Sequence, residues 1–257
     1  MPSKAIIYGM NRRDVLLALS IGSILATPAR AQVPQPYKVS LFPGGNAEAG
    51  LSIEMEPGWK TYWKMPGDAG IPPQFDWAGS SNLESIEVMY PIPGRFKDLG
   101  GETVGYHDQV VFPLLARSKN SAEPVSLKLN LFFAVCKDIC IPANSEISLD
   151  LNSTELSPLI EQWKNRVPRA DVAILNARIE IRQEVPMLVL ALNRTVDDIF
   201  VESEISAYFG RPLFDVSPGE AWLPIAGVKD PAIIRNTPLK FTLALGNSGI
   251  EQVITVN

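Results

Sequence analysis

The chemistry this sequence can offer is concentrated in Cys136 and Cys140, which bracket Lys137-Asp138-Ile139, and in His107, its one histidine. Such a pair of thiols can exchange with a partner's disulfide, a thiolate attacking sulfur through a mixed-disulfide intermediate. The two can instead be tied to each other as a staple, or join an imidazole in holding a soft metal such as Cu(I). Hydrolysis is excluded at the outset. A single histidine, with no nucleophile elbow and no metal pattern beside it, leaves no triad to assemble.

The elements that must position the pair are two strands. Lys128–Val135 runs directly into Cys136, and Glu146–Leu151 follows Cys140. A disulfide needs Cα atoms within about 7 Å, whereas residues four apart on an extended strand are separated by about 13 Å. The chain must therefore fold back at Lys137-Asp138-Ile139, with Pro142 holding the exit, and this puts both sulfurs at a hairpin tip that a partner protein can reach. A ring of about five residues constrains the unfolded chain by only about 2 kcal/mol, the low end for disulfides. A staple between sheets or domains would join distant positions, and short rings at exposed turns are the type that exchanges. Lys137 favours a thiolate at Cys136 and Asp138 opposes it. We assign the mixed disulfide to Cys140, against the pull of Lys137.

The N-terminus sets the compartment. Lys4, Arg12 and Arg13 precede an apolar run from Val15 to Ala26, broken only by Ser20, Gly22 and Ser23, and Ala29-Arg30-Ala31 has the small-x-small form of a cleavage site. About twenty apolar residues are needed to span a bilayer, so this run is too short for a stable anchor. The expectation is a signal peptide over residues 1–31 and a periplasmic mature chain from Gln32, exported by a Sec route or, given Arg12-Arg13, a twin-arginine route. The leader's four basic residues outnumber Asp14, so processing moves the net charge from −5 to −8. No cluster of Lys and Arg exists to contact phosphates, which excludes a nucleic-acid surface. In an oxidising compartment the resting state of the two cysteines is the disulfide.

From Tyr37 to about Leu151 short alternating strands, such as Leu51–Met55 and Val125–Leu131, are punctuated by Pro57-Gly58, Pro66-Gly67 and Pro93-Gly94. This pattern predicts an all-β, antiparallel sandwich, with Trp59, Tyr62, Trp63, Phe75 and Trp77 filling its core. Ser153–Val167 reads as a helix capped by Ser153 or Thr154 and stopped by Pro168, with Leu156, Leu159, Ile160 and Trp163 at helical spacing. Strand patterns return after Asp171, at Met187–Leu192, Ile199–Ile205, Phe241–Leu245 and Gln252–Val256. The expected organisation is a sandwich over 37–151, a helical linker over 152–170 and a second, smaller β domain over 171–257.

Gly50-Leu51-Ser52-Ile53, Pro57-Gly58-Trp59-Lys60-Thr61-Tyr62-Trp63, Pro66-Gly67-Asp68-Ala69-Gly70-Ile71-Pro72-Pro73, Gly105-Tyr106 and Val135-Cys136-Lys137-Asp138-Ile139-Cys140-Ile141-Pro142 carry a resemblance. In order and spacing they resemble the N-terminal periplasmic domain of the DsbD thiol:disulfide interchange family, over roughly Leu41 to Leu151. The resemblance implies an immunoglobulin-like sandwich and protein-disulfide reduction without a cofactor. In it, Cys136 and Cys140 are the exchanging pair, passing electrons from a membrane reductant to oxidised periplasmic proteins. Full-length members continue into a membrane domain and a thioredoxin domain, neither of which is in this sequence, and the best-known members space their cysteines more widely. The implied electron source is therefore a separate membrane-embedded thiol reductant of the DsbD or CcdA type.

Two other readings stand beside this one. A metal site would use Cys136, Cys140 and His107, but periplasmic copper proteins with Cys-x-x-x-Cys have a thioredoxin-like α/β fold, and no strand-helix alternation is present here. Met55, Met65, Met89 and Met187 are too scattered to add ligands. The other reading is a sandwich that only binds a partner and keeps the disulfide for structure.

Overall fold

A segment whose apolar and polar residues alternate can bury one face of a strand and wet the other, and most of this chain is built that way. The computed structural model describes residues 35–67, 70–98 and 101–257, so the expected signal peptide and its cleavage site lie outside the described residues. The first half holds β1 (Tyr37–Gly45), β2 (Glu48–Met55), β3 (Lys60–Gly67), β4 (Gln74–Asp76), β5 (Leu83–Val88), β6 (Gly94–Asp98), β7 (Gly101–His107), β8 (Gln109–Ser118), β9 (Val125–Cys136) and β10 (Cys140–Leu151). One sheet runs β1-β2-β8-β5. The other runs β10-β9-β3-β7-β6, with β4 also pairing β9. The two sheets share one core, with Leu51, Ile53, Val110, Phe112 and Leu114 from the first meeting Trp63, Val104, Tyr106, Leu127, Leu129 and Phe133 from the second. This is the antiparallel, immunoglobulin-like sandwich that the sequence predicts.

The connecting helix is shorter than its periodicity suggests. It is α1 (Pro158–Lys164), capped by Ser157, whose hydroxyl accepts from the Ile160 N–H. Pro158 explains the difference, because proline suits the first turn of a helix and disfavours helical backbone in the residue before it. Ser153 and Thr154 therefore lie upstream of the helix in irregular chain. Ile160 and Trp163 are its buried residues, and Trp163 joins the core of the first sandwich.

The second half contains β11 (Arg169–Ala170), β12 (Ile174–Arg182), β13 (Val185–Leu192), β14 (Asp198–Glu202), β15 (Tyr208–Phe209), β16 (Glu220–Ala226), β17 (Pro238–Leu245) and β18 (Ser248–Thr255). These make two four-stranded sheets, β11-β18-β17-β14 and β12-β13-β16-β15. They enclose a separate core that includes Leu188, Leu190, Ile199, Leu223, Phe241 and Leu243. A polar seam ties this half to the first. Arg95, its side chain 3 % exposed, donates to Asp198 at 2.9 Å, to Glu102 at 2.9 Å and to the Ile199 carbonyl at 2.7 Å. Lys64 pairs with Glu202 at 2.8 Å, and Phe200 packs on Trp63. No helix among the described residues is long and apolar enough to cross a membrane.

Candidate redox site at a hairpin tip

The parity of β9 places the cysteines. Val125, Leu127, Leu129, Leu131, Phe133 and Val135 are buried on its inner face, so by alternation Ala134 and Cys136 belong to the outer face. That face is partly open to solvent at Lys128 and exposed at Asn130. Even so, Ala134 is fully buried and Cys136 is only 6 % exposed, because Tyr62 and Ile71 cover them in a small separate cluster. The cover comes from β3, where Lys60 lies opposite Cys136 and Thr61 opposite Val135. Adjacent strand residues point to opposite faces, so Trp63 enters the sandwich core while Tyr62 cannot. Of the aromatics expected to fill the core, Trp63 is fully buried there and Trp59, Phe75 and Trp77 pack partly buried against it. Tyr62 instead roofs the disulfide.

β9 and β10 pair along their whole length, from Val125 with Leu151 to Cys136 with Cys140. The two cysteines form a disulfide with Cα atoms 4.2 Å apart, and the turn between them is closed by the Lys137 N–H donating to the Ile139 carbonyl at 3.3 Å. The hairpin does not depend on this bond. At about 1.5–3 kcal/mol for each fully buried apolar side chain, the five inward residues from Val125 to Phe133 contribute roughly 8–15 kcal/mol, against about 2 kcal/mol for a five-residue ring. Reduction can therefore proceed without unfolding the domain.

The two cysteine residues differ in exposure. Cys136 is buried, whereas Cys140 is exposed beside Ile139, which is 68 % exposed at the tip. The Tyr62 hydroxyl lies 3.1 Å from Cys140 Sγ. Either atom can donate when the sulfur is a thiol, but only the phenol can donate to a thiolate.

Lys60 stands in the same row of the outer face, opposite Cys136 on one side and His107 on the other. It is buried, its ammonium donating to Thr103 Oγ1 at 2.9 Å and lying 5.7 Å from the centre of the Phe96 ring. β3 and β7 approach so closely here that any side chain at Gly105 would collide with the Thr61 backbone. His107 is exposed, edge-on to Phe96 with ring centres 4.3 Å apart, its Nδ1 3.2 Å from the Trp59 carbonyl. Its backbone is two strand spacings from Cys136, roughly 9–10 Å. The structure thus joins Cys136 to Cys140 and turns His107 toward Phe96. Among the described residues no three of His, Cys, Asp or Glu gather to hold a metal ion.

Lys60 and Tyr62 were not recognisable as site residues from their own surroundings in the sequence. The signal available was strand parity, which forbids Tyr62 and Trp63 from sharing one core.

Residues 29–152 match the family model described as "Thiol:disulfide interchange protein DsbD, N-terminal", and this half of the chain belongs to that family. The fold is similar to the crystal structure of the N-terminal periplasmic domain of ScsB from Proteus mirabilis, with a TM-score of 0.66 and 21 % identity, over 88 % of this chain and 96 % of that one. That likeness extends past the family match into the second sandwich. The reduced N-terminal domain of Neisseria meningitidis DsbD is also similar, at 20 % identity over 49 % of this chain and 96 % of that one, with a TM-score of 0.29. No curated protein matches the sequence.

Proposed function

We propose that this chain is a periplasmic thiol:disulfide interchange protein. It accepts two electrons at Cys136 and Cys140 from a membrane-embedded thiol reductant of the DsbD or CcdA type and passes them to oxidised periplasmic proteins. The observation that carries this reading is the unequal exposure of two bonded cysteines at one hairpin tip, Cys140 an exposed residue and Cys136 a buried one. Membership of the DsbD N-terminal family over residues 29–152 supports it.

The chemistry follows from access. A donor thiolate attacks the exposed Cys140 sulfur, the ring S–S bond breaks, and Cys136 leaves as a thiolate on the face that also carries Lys60, where a positive charge favours it. The donor's second thiolate then attacks its own sulfur in the mixed disulfide. This releases Cys140, so the donor ends as a disulfide and this chain as a dithiol after taking up two protons. Toward a substrate the order reverses. The Cys140 thiolate attacks the substrate disulfide, one substrate thiol departs, and Cys136 attacks Cys140 Sγ to restore the ring and release the second thiol.

The test is trapping in the periplasm. Cys136→Ser leaves Cys140 with no resolving partner and should accumulate mixed disulfides with substrate proteins, while Cys140→Ser should accumulate far fewer. Equal trapping by both variants would overturn the assignment of roles, and no trapping by either would overturn the exchange function.

A further inference from the structure

Beside the disulfide lies a cavity of about 380 Å³ lined in part by Lys60, Arg95, Lys97, His107, Cys136 and Lys137, with no acidic side chain among its described lining residues. The concentration of cations is local, for the chain as a whole carries a net charge of −5. Arg95 is met by Asp198 and Glu102. Lys97 and Lys137 are exposed, and Lys137 lies over Gly58 with its ammonium on the Pro57 carbonyl at 3.2 Å. An ammonium has three donors, so that one contact does not exhaust it. Acids near the cavity include Asp138, exposed on the turn, Asp108, whose Oδ1 accepts from the Gly58 N–H at 3.0 Å, and Glu102, which lies opposite Lys97 across β6 and β7 and is engaged by Arg95 and Arg211.

We propose that this cavity docks a carboxylate flanking the reactive cysteine of the partner protein, so that the redox pair selects partners that are acidic next to their own sulfur. The inference rests on the exchange function above and adds the recognition chemistry. When a partner is joined to Cys140, its neighbouring residues lie over the adjacent strands. One strand spacing is about 4.8 Å and one extended residue about 3.3 Å, so a side chain one or two positions from the partner's cysteine reaches the cavity. Lys97 and Lys137 at the rim attract it. Charge complementarity of this kind acts mainly on encounter rate and partner choice, and it weakens with salt.

The test uses two synthetic peptides, each closed by one internal disulfide and identical except for Glu or Gln on both sides of one cysteine. Each oxidises the reduced full chain, and the rate constant is followed by acid quenching and thiol alkylation. Each rate is divided by that of the same peptide with a small neutral dithiol, which removes the intrinsic effect of Glu on sulfur reactivity. The expected Glu/Gln ratio is about ten at low ionic strength, shrinking severalfold at 0.5 M salt, as screening over about 3–10 Å requires. In the double variant Lys97→Glu, Lys137→Glu it should fall to about one or below. A ratio near one in the unaltered chain, or a ratio that survives the double reversal, overturns the docking site while leaving the exchange function in place. Failure of both peptides to oxidise the reduced chain overturns both.

Discussion

The hydroxyl of Tyr62 stands 3.1 Å from the sulfur of Cys140, although the two residues are 78 positions apart. The pairing of β3 with β9 brings them together, and their relation gives the site a polarity that the cysteines alone would lack. A phenol donates to a thiolate more strongly than to a disulfide sulfur, so Tyr62 favours the reduced state. A hydrogen bond to a charged group contributes about 1.5–3 kcal/mol, and 30 mV corresponds to about 1.4 kcal/mol for a two-electron couple. Measured above about pH 9, where an ordinary thiol is ionised, Tyr62→Phe should therefore lower the reduction potential by about 30–60 mV while leaving the far-ultraviolet circular dichroism unchanged. Equilibration against glutathione or dithiothreitol buffers measures this, and an unchanged potential would remove Tyr62 from the site.

Arg95 ties the halves together, and its removal should cost more than removal of its partner. Breaking a buried ion pair by deleting one member costs about 3–5 kcal/mol, because the other charge is left uncompensated. Arg95→Met leaves Asp198 in that position, whereas Asp198→Asn leaves Arg95 still paired with Glu102. Urea unfolding at neutral pH should show the larger loss in Arg95→Met.

The same pair predicts a pH dependence. Burial raises the Asp198 carboxyl above its ordinary 3.8, with Arg95 opposing the shift. A carboxyl raised in the folded state contributes stability that is fully present below its unfolded value and is lost as pH rises through its folded value. Without Arg95 the folded value rises further. The penalty of Arg95→Met should accordingly shrink as pH falls from neutral toward 3.8. A penalty independent of pH would show that the Asp198 charge is not what the variant exposes.

The segment before α1 is the expected site of proteolysis. Asn152, Thr154, Glu155 and Leu156 are exposed and without regular structure, as cleavage requires. We expect a single early cut between Asn152 and Leu156, with two β fragments that stay together in native gel filtration because of the Arg95 seam and the Trp63–Phe200 contact. First cleavage inside either sandwich would contradict the boundary proposed at this segment, and fragments that separate at once would contradict the seam.

Strand patterning made the first sandwich and the cysteine hairpin legible. Alternation from Val125 to Leu131 is unbroken, and a pair that ends one strand and begins the next can bond only if the chain turns between them. What covers the pair was not legible. Lys60 and Tyr62 reach the disulfide through pairing with β9, and nothing in their own neighbourhood selects that partner strand over another. Tyr62 also sits between residues that look like core, and period-2 parity is what separates it from Trp63. The helix start was misplaced for a local reason. Ser153 and Thr154 have the chemistry of a cap, but Pro158 fixes the first turn and makes Ser157 the cap. The Arg95 seam joins residues more than a hundred positions apart and has no signature in either half.

The reduction potential of the Cys136–Cys140 pair in the folded, full chain tests the central claim most directly. A pair that passes electrons between a membrane reductant and oxidised proteins should lie between the thioredoxins and the strong periplasmic oxidants, about −270 to −120 mV, and should reduce without loss of β structure. A value below about −300 mV would mark the bond as a structural staple and contradict the account.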